Sequence, residues 1–218
     1  MLQTRKQIAF QIMAGIFITS AIVAELISCK SVPTFIAPII AGIVPWPIVF
    51  LLTDVMNEYF GKQVVKRLSW IATGMIAFCF LLVFIAVEMP TDSSSYLSDS
   101  EFRKAFGGSL PIMIGSITAF IVSQLIDVRL FHFFNKLLKG RWIWVRSTGS
   151  TVISQLADGF IVLFIGFYLP GTFHFQQILE YWMMGYAFKL LVAIGLTPLI
   201  YLMHFLARNI LGANAKVE

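Results

Sequence analysis

Six long apolar runs pass along the chain, at 8–29, 35–54, 68–87, 110–134, 147–169 and 178–206. A helix needs about 20 such residues to cross a bilayer. Hydrophobic residues make up 58% of the chain and charged ones 12%, where soluble domains carry about 25% charged residues. That is too little polar surface to coat a globule in water, so lipid must be part of the solvent. In lipid, backbone groups are satisfied only within helices or closed barrels. The two-residue alternation of barrel strands is absent. The expected fold is all-α: one polytopic membrane domain over 1–218, a bundle of six transmembrane helices.

The loops orient this bundle. Lys and Arg gather at Arg5 and Lys6, at Lys62, Lys66 and Arg67, at Lys136, Lys139, Arg141 and Arg146, and at Arg208 and Lys216. The alternate loops hold only Lys30, Arg103 and Lys104. Basic residues favour the cytoplasmic side, so both termini are expected there. The loop 88–109 is acidic and Ser-rich, as a solvated connection would be. The box Leu26-Ile27-Ser28-Cys29 is like a lipoprotein cleavage site, but the run before it is long for a signal peptide and more spans follow. The reading adopted is a retained first span. The net charge of +5 comes from short clusters between spans rather than one basic patch, so no nucleic acid is expected.

Several charges fall inside the spans, where each costs about 2.5–3.5 kcal/mol even on the lenient insertion scale. Asp158 and Lys189 each lie about 16 Å into spans five and six, near mid-membrane. Asp127 lies about 24 Å along span four, in its cytoplasmic half. Glu25 is near the outer end of span one, and Asp54 and Glu58 near the inner end of span two. Asp158 and Lys189 at one depth suggest a pair. Ser147, Thr151, Ser154 and Asp158 form one helical stripe with Gln155 beside it, a polar path from the cytoplasmic side to mid-membrane. Ser116, Ser123 and Asp127 share a face of span four, with Gln124 adjacent. Span two carries Pro38, Pro45 and Pro47, and prolines break helices. Discontinuous helices at mid-membrane are a recurring transporter device.

No HExxH, G-x-S-x-G or P-loop occurs. His132, His174 and His204 sit at scattered depths, and Cys29 and Cys79 form no ligand cluster. Neither an enzyme, a metal site nor a cofactor is expected.

Three blocks carry a family resemblance. They are PIVFLLTD at 47–54 with EYFGK at 58–62, the stretch 123–159 containing SQLID and SQLAD, and YAFK at 186–189. In their order and spacing they resemble the queuosine precursor transporter family, also called the vitamin uptake transporter family. The resemblance implies a six-helix inner-membrane importer of 7-deazaguanine bases, such as cyano- or aminomethyl-deazaguanine or queuine, salvaged for transfer-RNA modification. It also implies a fold similar to the substrate-binding subunits of energy-coupling-factor vitamin transporters. A guanine-like base offers two adjacent donors to a carboxylate, which is acceptor-only. Asp158 and Gln155 are the expected base readers, Lys189 the balancing charge, and Trp46, Tyr181 and Tyr186 the stacking groups. Asp127, Gln124 and Asp54 would line the cytoplasmic exit. A homo-oligomer and an energising partner subunit both remain open. The alternatives are a capture subunit of an ATP-driven complex and a lipid-modifying enzyme.

Overall fold

The computed structural model describes residues 5–33, 38–137 and 143–195. Helix α1 (Arg5–Ile27) leads into a minimal antiparallel hairpin of β1 (Ser31–Val32) and β2 (Ile39–Ile40), with Ser31 opposite Ile40. A single 3-10 turn, Ala41–Ile43, joins this to α2 (Trp46–Phe60). Helix α3 (Lys62–Glu88) follows, then the short α4 (Asp99–Phe102), whose chain continues through a π-helical turn into α5 (Ser109–Leu137). Helix α6 (Ile143–Leu163) ends in a second π-helical turn, Phe164–Tyr168, and α7 (Phe175–Gly195) closes the described chain. The all-α expectation holds.

Among the described residues, three segments are long and apolar enough to cross a membrane: Lys6–Ile27, Gln63–Glu88 and Asp99–Ile126. Six were expected. The apolar part of α6, Val152–Tyr168, is shorter, and the second half of the expected sixth span lies outside the described residues. Span two is the clearest correction. Its helix runs Trp46–Phe60 rather than over 35–54, and its 15 residues reach only about 22 Å. Pro45 precedes the helix and Pro47 sits in its first turn. There a missing N–H costs nothing, so these prolines start the helix instead of kinking it.

Two apolar clusters hold the bundle. Phe17, Val49, Leu52, Met56, Val65, Leu68 and Ala72 join α1, α2 and α3. Ile112, Leu163, Phe167 and Ile178 join α5, α6 and α7. Trp70 meets Phe120 edge-on at 5.1 Å and links α3 to α5. The chain turns sharply between α2 and α3 at Gly61, whose φ of 88° suits only a residue without a Cβ. The outer face of α3 leaves Trp70, Phe78, Leu81, Leu82 and Ile85 exposed. A face so continuously apolar is suited to lipid and not to water.

The loop 88–109 is more ordered than a plain solvated connection. Ser98 caps α4 and Glu101 returns the bond to the Ser98 N–H at 2.9 Å, a complete capping box. The Arg103 guanidinium donates to the Glu88 carboxylate at 2.9 Å and to the Val87 carbonyl, tying the two ends of the loop.

Helices α5 and α6 make the most extensive contact in the bundle, because two glycines let their backbones approach. A Cβ on Gly115 would stand 3.0 Å from the Val162 carbonyl oxygen, and one on Gly166 3.0 Å from the Ile112 Cα. Backbone cannot rotate away as a side chain can. Gly166→Ala is expected to cost about 1–3 kcal/mol by overpacking. Thermal unfolding of the detergent-solubilised protein measures this, and an unchanged midpoint would refute it.

Candidate functional site

Helix ends build the site. The last turn of α1, the first turns of α5, the second half of α6 and the middle of α7 surround a cavity of about 130 Å³. The hairpin residues Ile39 and Ile40 and the turn residues Gly42 and Ile43 complete its wall. This is the end of the bundle remote from the basic segments. Along α6 the lining runs from Gln155 and Asp158 through Val162 to Phe167. The cavity thus extends from Asp158 away from the expected cytoplasmic path. Ser154, on that path, is buried, and the side chains of Ser147 and Thr151 lie outside the described residues.

Six of the nine expected residues line the cavity: Trp46, Gln155, Asp158, Tyr181, Tyr186 and Lys189. Gln124 and Asp54 do not, and Asp54 is exposed on α2. The side chain of Asp127 lies outside the described residues. Residues 147 to 159 and 181 to 189 come together because α6 and α7 pack side by side. The Trp182 indole N–H of α7 donates to the Leu156 carbonyl of α6 at 2.9 Å, and its ring meets Phe160 edge-on.

The charges are arranged differently from a simple pair. Lys189 places its ammonium 5.3 Å from the centroid of the Trp46 ring, within cation–π range. It acts electrostatically on Asp158 without a direct ion pair. The Ser123 hydroxyl of α5 lies 3.4 Å from the Asp158 carboxylate, a long hydrogen bond. Asp158 therefore keeps accepting capacity toward the cavity, and Lys189 stands over the ring of the first residue of α2.

Phe167 and Tyr181 line the cavity, with Phe173 stacked between them. Phe167, Phe173 and Tyr181 stack in a row, with centroids 5.0 and 4.8 Å apart and planes within 6° and 5° of parallel. The Tyr181 hydroxyl shares a 2.7 Å hydrogen bond with Ser31. That bond ties the hairpin to α7 across the cavity edge.

Glu25, Ser116 and Trp182 also line the cavity, and the residue pattern alone did not assign them to it. The Ser116 hydroxyl donates to the Glu25 carboxylate at 2.7 Å, and Glu25 is only 7% exposed. Its position as the one acidic residue interrupting the end of the first apolar run was the available signal. Among the described residues, no group of three or more His, Cys, Asp or Glu is placed to hold a metal ion.

A base-sized cavity with flat walls and a few convergent charges suits a small aromatic solute. Residues 40–203 match the family model described as "Putative vitamin uptake transporter". The chain belongs to that family. Its curated relatives include a "Probable queuosine precursor transporter" of Bacillus subtilis (strain 168), 30% identical over 154 residues, or 68% of this chain and 66% of the relative. The "Queuosine precursor transporter" of Escherichia coli (strain K12) is 27% identical over 165 residues, covering 70% and 66%. The "Probable queuosine precursor transporter" of Haemophilus influenzae is 26% identical over 157 residues, covering 70% and 63%. The match thus spans just under two thirds of each relative's length. No solved structure matches the chain. Membership of this vitamin uptake transporter family accords with the apolar helices, and the chain is a multi-pass membrane protein.

Proposed function

We propose that the chain imports a 7-deazaguanine base and binds it in the cavity between α1, α5, α6 and α7. The observation that carries this is the meeting of Asp158, Gln155 and Lys189 with Trp46, Tyr181 and Tyr186 around one cavity. The Asp158 carboxylate accepts the ring N–H and the exocyclic amine together, a charge-assisted bidentate contact. The Gln155 amide donates to the ring carbonyl. A flat base lies against the aromatic wall. With six spans and both termini cytoplasmic, the cavity lies in the outer half of the membrane. This arrangement then corresponds to a capture state, with Asp54, Gln124 and Asp127 toward the exit.

Uptake of labelled cyano- and aminomethyl-deazaguanine, in cells unable to make either, tests the reading. Wild type should accumulate at least one of them. An analogue lacking the exocyclic amine should compete roughly a hundredfold less well, because it leaves a buried acceptor unpaired. Failure to take up any deazaguanine would end the proposal. The purified chain in liposomes should take up substrate without a partner, and a proton uncoupler should slow it, since a buried carboxylate is suited to carry a proton inward. Binding without accumulation would instead favour the capture-subunit reading, and indifference to the uncoupler would exclude proton coupling.

A further inference from the structure

We infer that Glu25 determines specificity, selecting a base that carries a cationic arm over one with a neutral substituent. This rests on the proposal that the cavity holds a deazaguanine. Glu25 comes from α1, ahead of the matched residues 40–203, and lines the same cavity as Asp158 of α6 and Lys189 of α7.

The charges facing the cavity do not balance. Glu25 and Asp158 are the acidic residues lining it, and Lys189 is the one basic residue there among those described. Lys189 and Asp158 act on each other, and Asp158 in turn acts on Glu25. Lys189 is thus committed to Asp158 and to the Trp46 ring. The carboxylate of Glu25 has one oxygen held by Ser116 at 2.7 Å. Its other oxygen has no hydrogen-bond partner among the described residues. A buried carboxylate in that state takes up a proton or finds a cation. If Asp158 and Gln155 read the polar edge of the base from α6, the ring's substituent points away from α6, and Glu25 of α1 is the acidic lining residue left to meet it. An alkylammonium there would supply three donors and the missing positive charge. A nitrile supplies neither.

Equilibrium binding to the purified full-length chain tests this, with aminomethyl-deazaguanine and cyano-deazaguanine as probes. Wild type is expected to prefer the aminomethyl base by roughly tenfold or more, the scale of one charge-assisted hydrogen bond. Glu25→Gln, which copies the protonated carboxyl, should lose that preference by weakening the aminomethyl base alone. An unchanged ratio in Glu25→Gln, or equal weakening of both bases, overturns the inference. A third probe needs only wild type, so it decides the matter even if the variant does not fold. The hydroxymethyl base is nearly isosteric with the aminomethyl one but neutral, and it should bind like the cyano base. Equal affinity for the hydroxymethyl and aminomethyl bases would overturn the role of Glu25 while leaving the substrate reading intact. No binding of any deazaguanine would instead remove the substrate reading itself.

Discussion

Asp158→Asn is expected to weaken base binding by about a hundredfold or more, the scale of losing one member of a buried charged contact. The asparagine keeps the shape but replaces two acceptor oxygens by one, and turns an NH₂ toward the donors of the base. It also strips Lys189 of the counter-charge of Asp158, while the Trp46 ring stays 5.3 Å from the ammonium. Lys189→Met should weaken binding comparably by the opposite route. It leaves Asp158 and Glu25 lining one cavity without the cation that offsets them there, so the carboxylate that reads the base loses its charge partner. The double variant separates the lysine's two roles. If Lys189 acts only by keeping Asp158 charged, Asp158→Asn with Lys189→Met binds no worse than Asp158→Asn alone, and the coupling energy equals the full effect of the lysine. If the lysine touches the base itself, the effects approach additivity. Near-normal binding in both single variants would remove these residues from the site.

The architecture was legible in the sequence to the extent that single-span hydrophobicity governs it. Long apolar runs dictate helices in lipid, and α1, α3 and α5 overlap the runs at 8–29, 68–87 and 110–134. The second run failed for a local reason. Its apolar residues are interrupted by Pro38, Pro45 and Pro47, and hydropathy averages over such breaks while backbone chemistry does not. The chain makes a hairpin and a tight turn there, and the helix starts only at Trp46. Within the site, Asp158, Gln155 and Lys189 were legible because charge and amide at that depth have few structural uses. Glu25 was not, because its linear depth put it at a span end, where carboxylates are ordinary. Only the inward fold of the hairpin and the first turns of α5 enclose it. The extent of the cavity along α6 was not legible for a related reason. Helical periodicity identifies which face of α6 is polar, but not where along that face a neighbouring helix fills the space.

Gly42→Ala is expected to damage both stability and binding, although it adds a single methyl group. Gly42 is buried in the 3-10 turn that packs on the last turn of α1. A Cβ there would collide with the Ser28 hydroxyl and stand 2.5 Å from the Ala24 carbonyl oxygen. Ser28 can turn aside only by giving up its own 2.6 Å hydrogen bond to that carbonyl. The carbonyl itself cannot move without α1. Relief therefore requires the turn and the helix to separate, and both carry the cavity wall: Gly42 and Ile43 on one side, Ala24, Glu25 and Ser28 on the other. Overpacking of this kind costs about 1–3 kcal/mol, and more where backbone must shift. Because the displaced groups include Glu25, base affinity should fall by roughly tenfold or more. Gly74→Ala supplies the control. Gly74 lies inside α3, and a Cβ there meets nothing within 4 Å. Alanine should leave binding unchanged and gain up to about 1 kcal/mol from helix propensity. The comparison isolates close approach from glycine content as such. If the thermal midpoints and base affinities of the two variants prove the same, the contact between the turn and α1 does not shape the cavity.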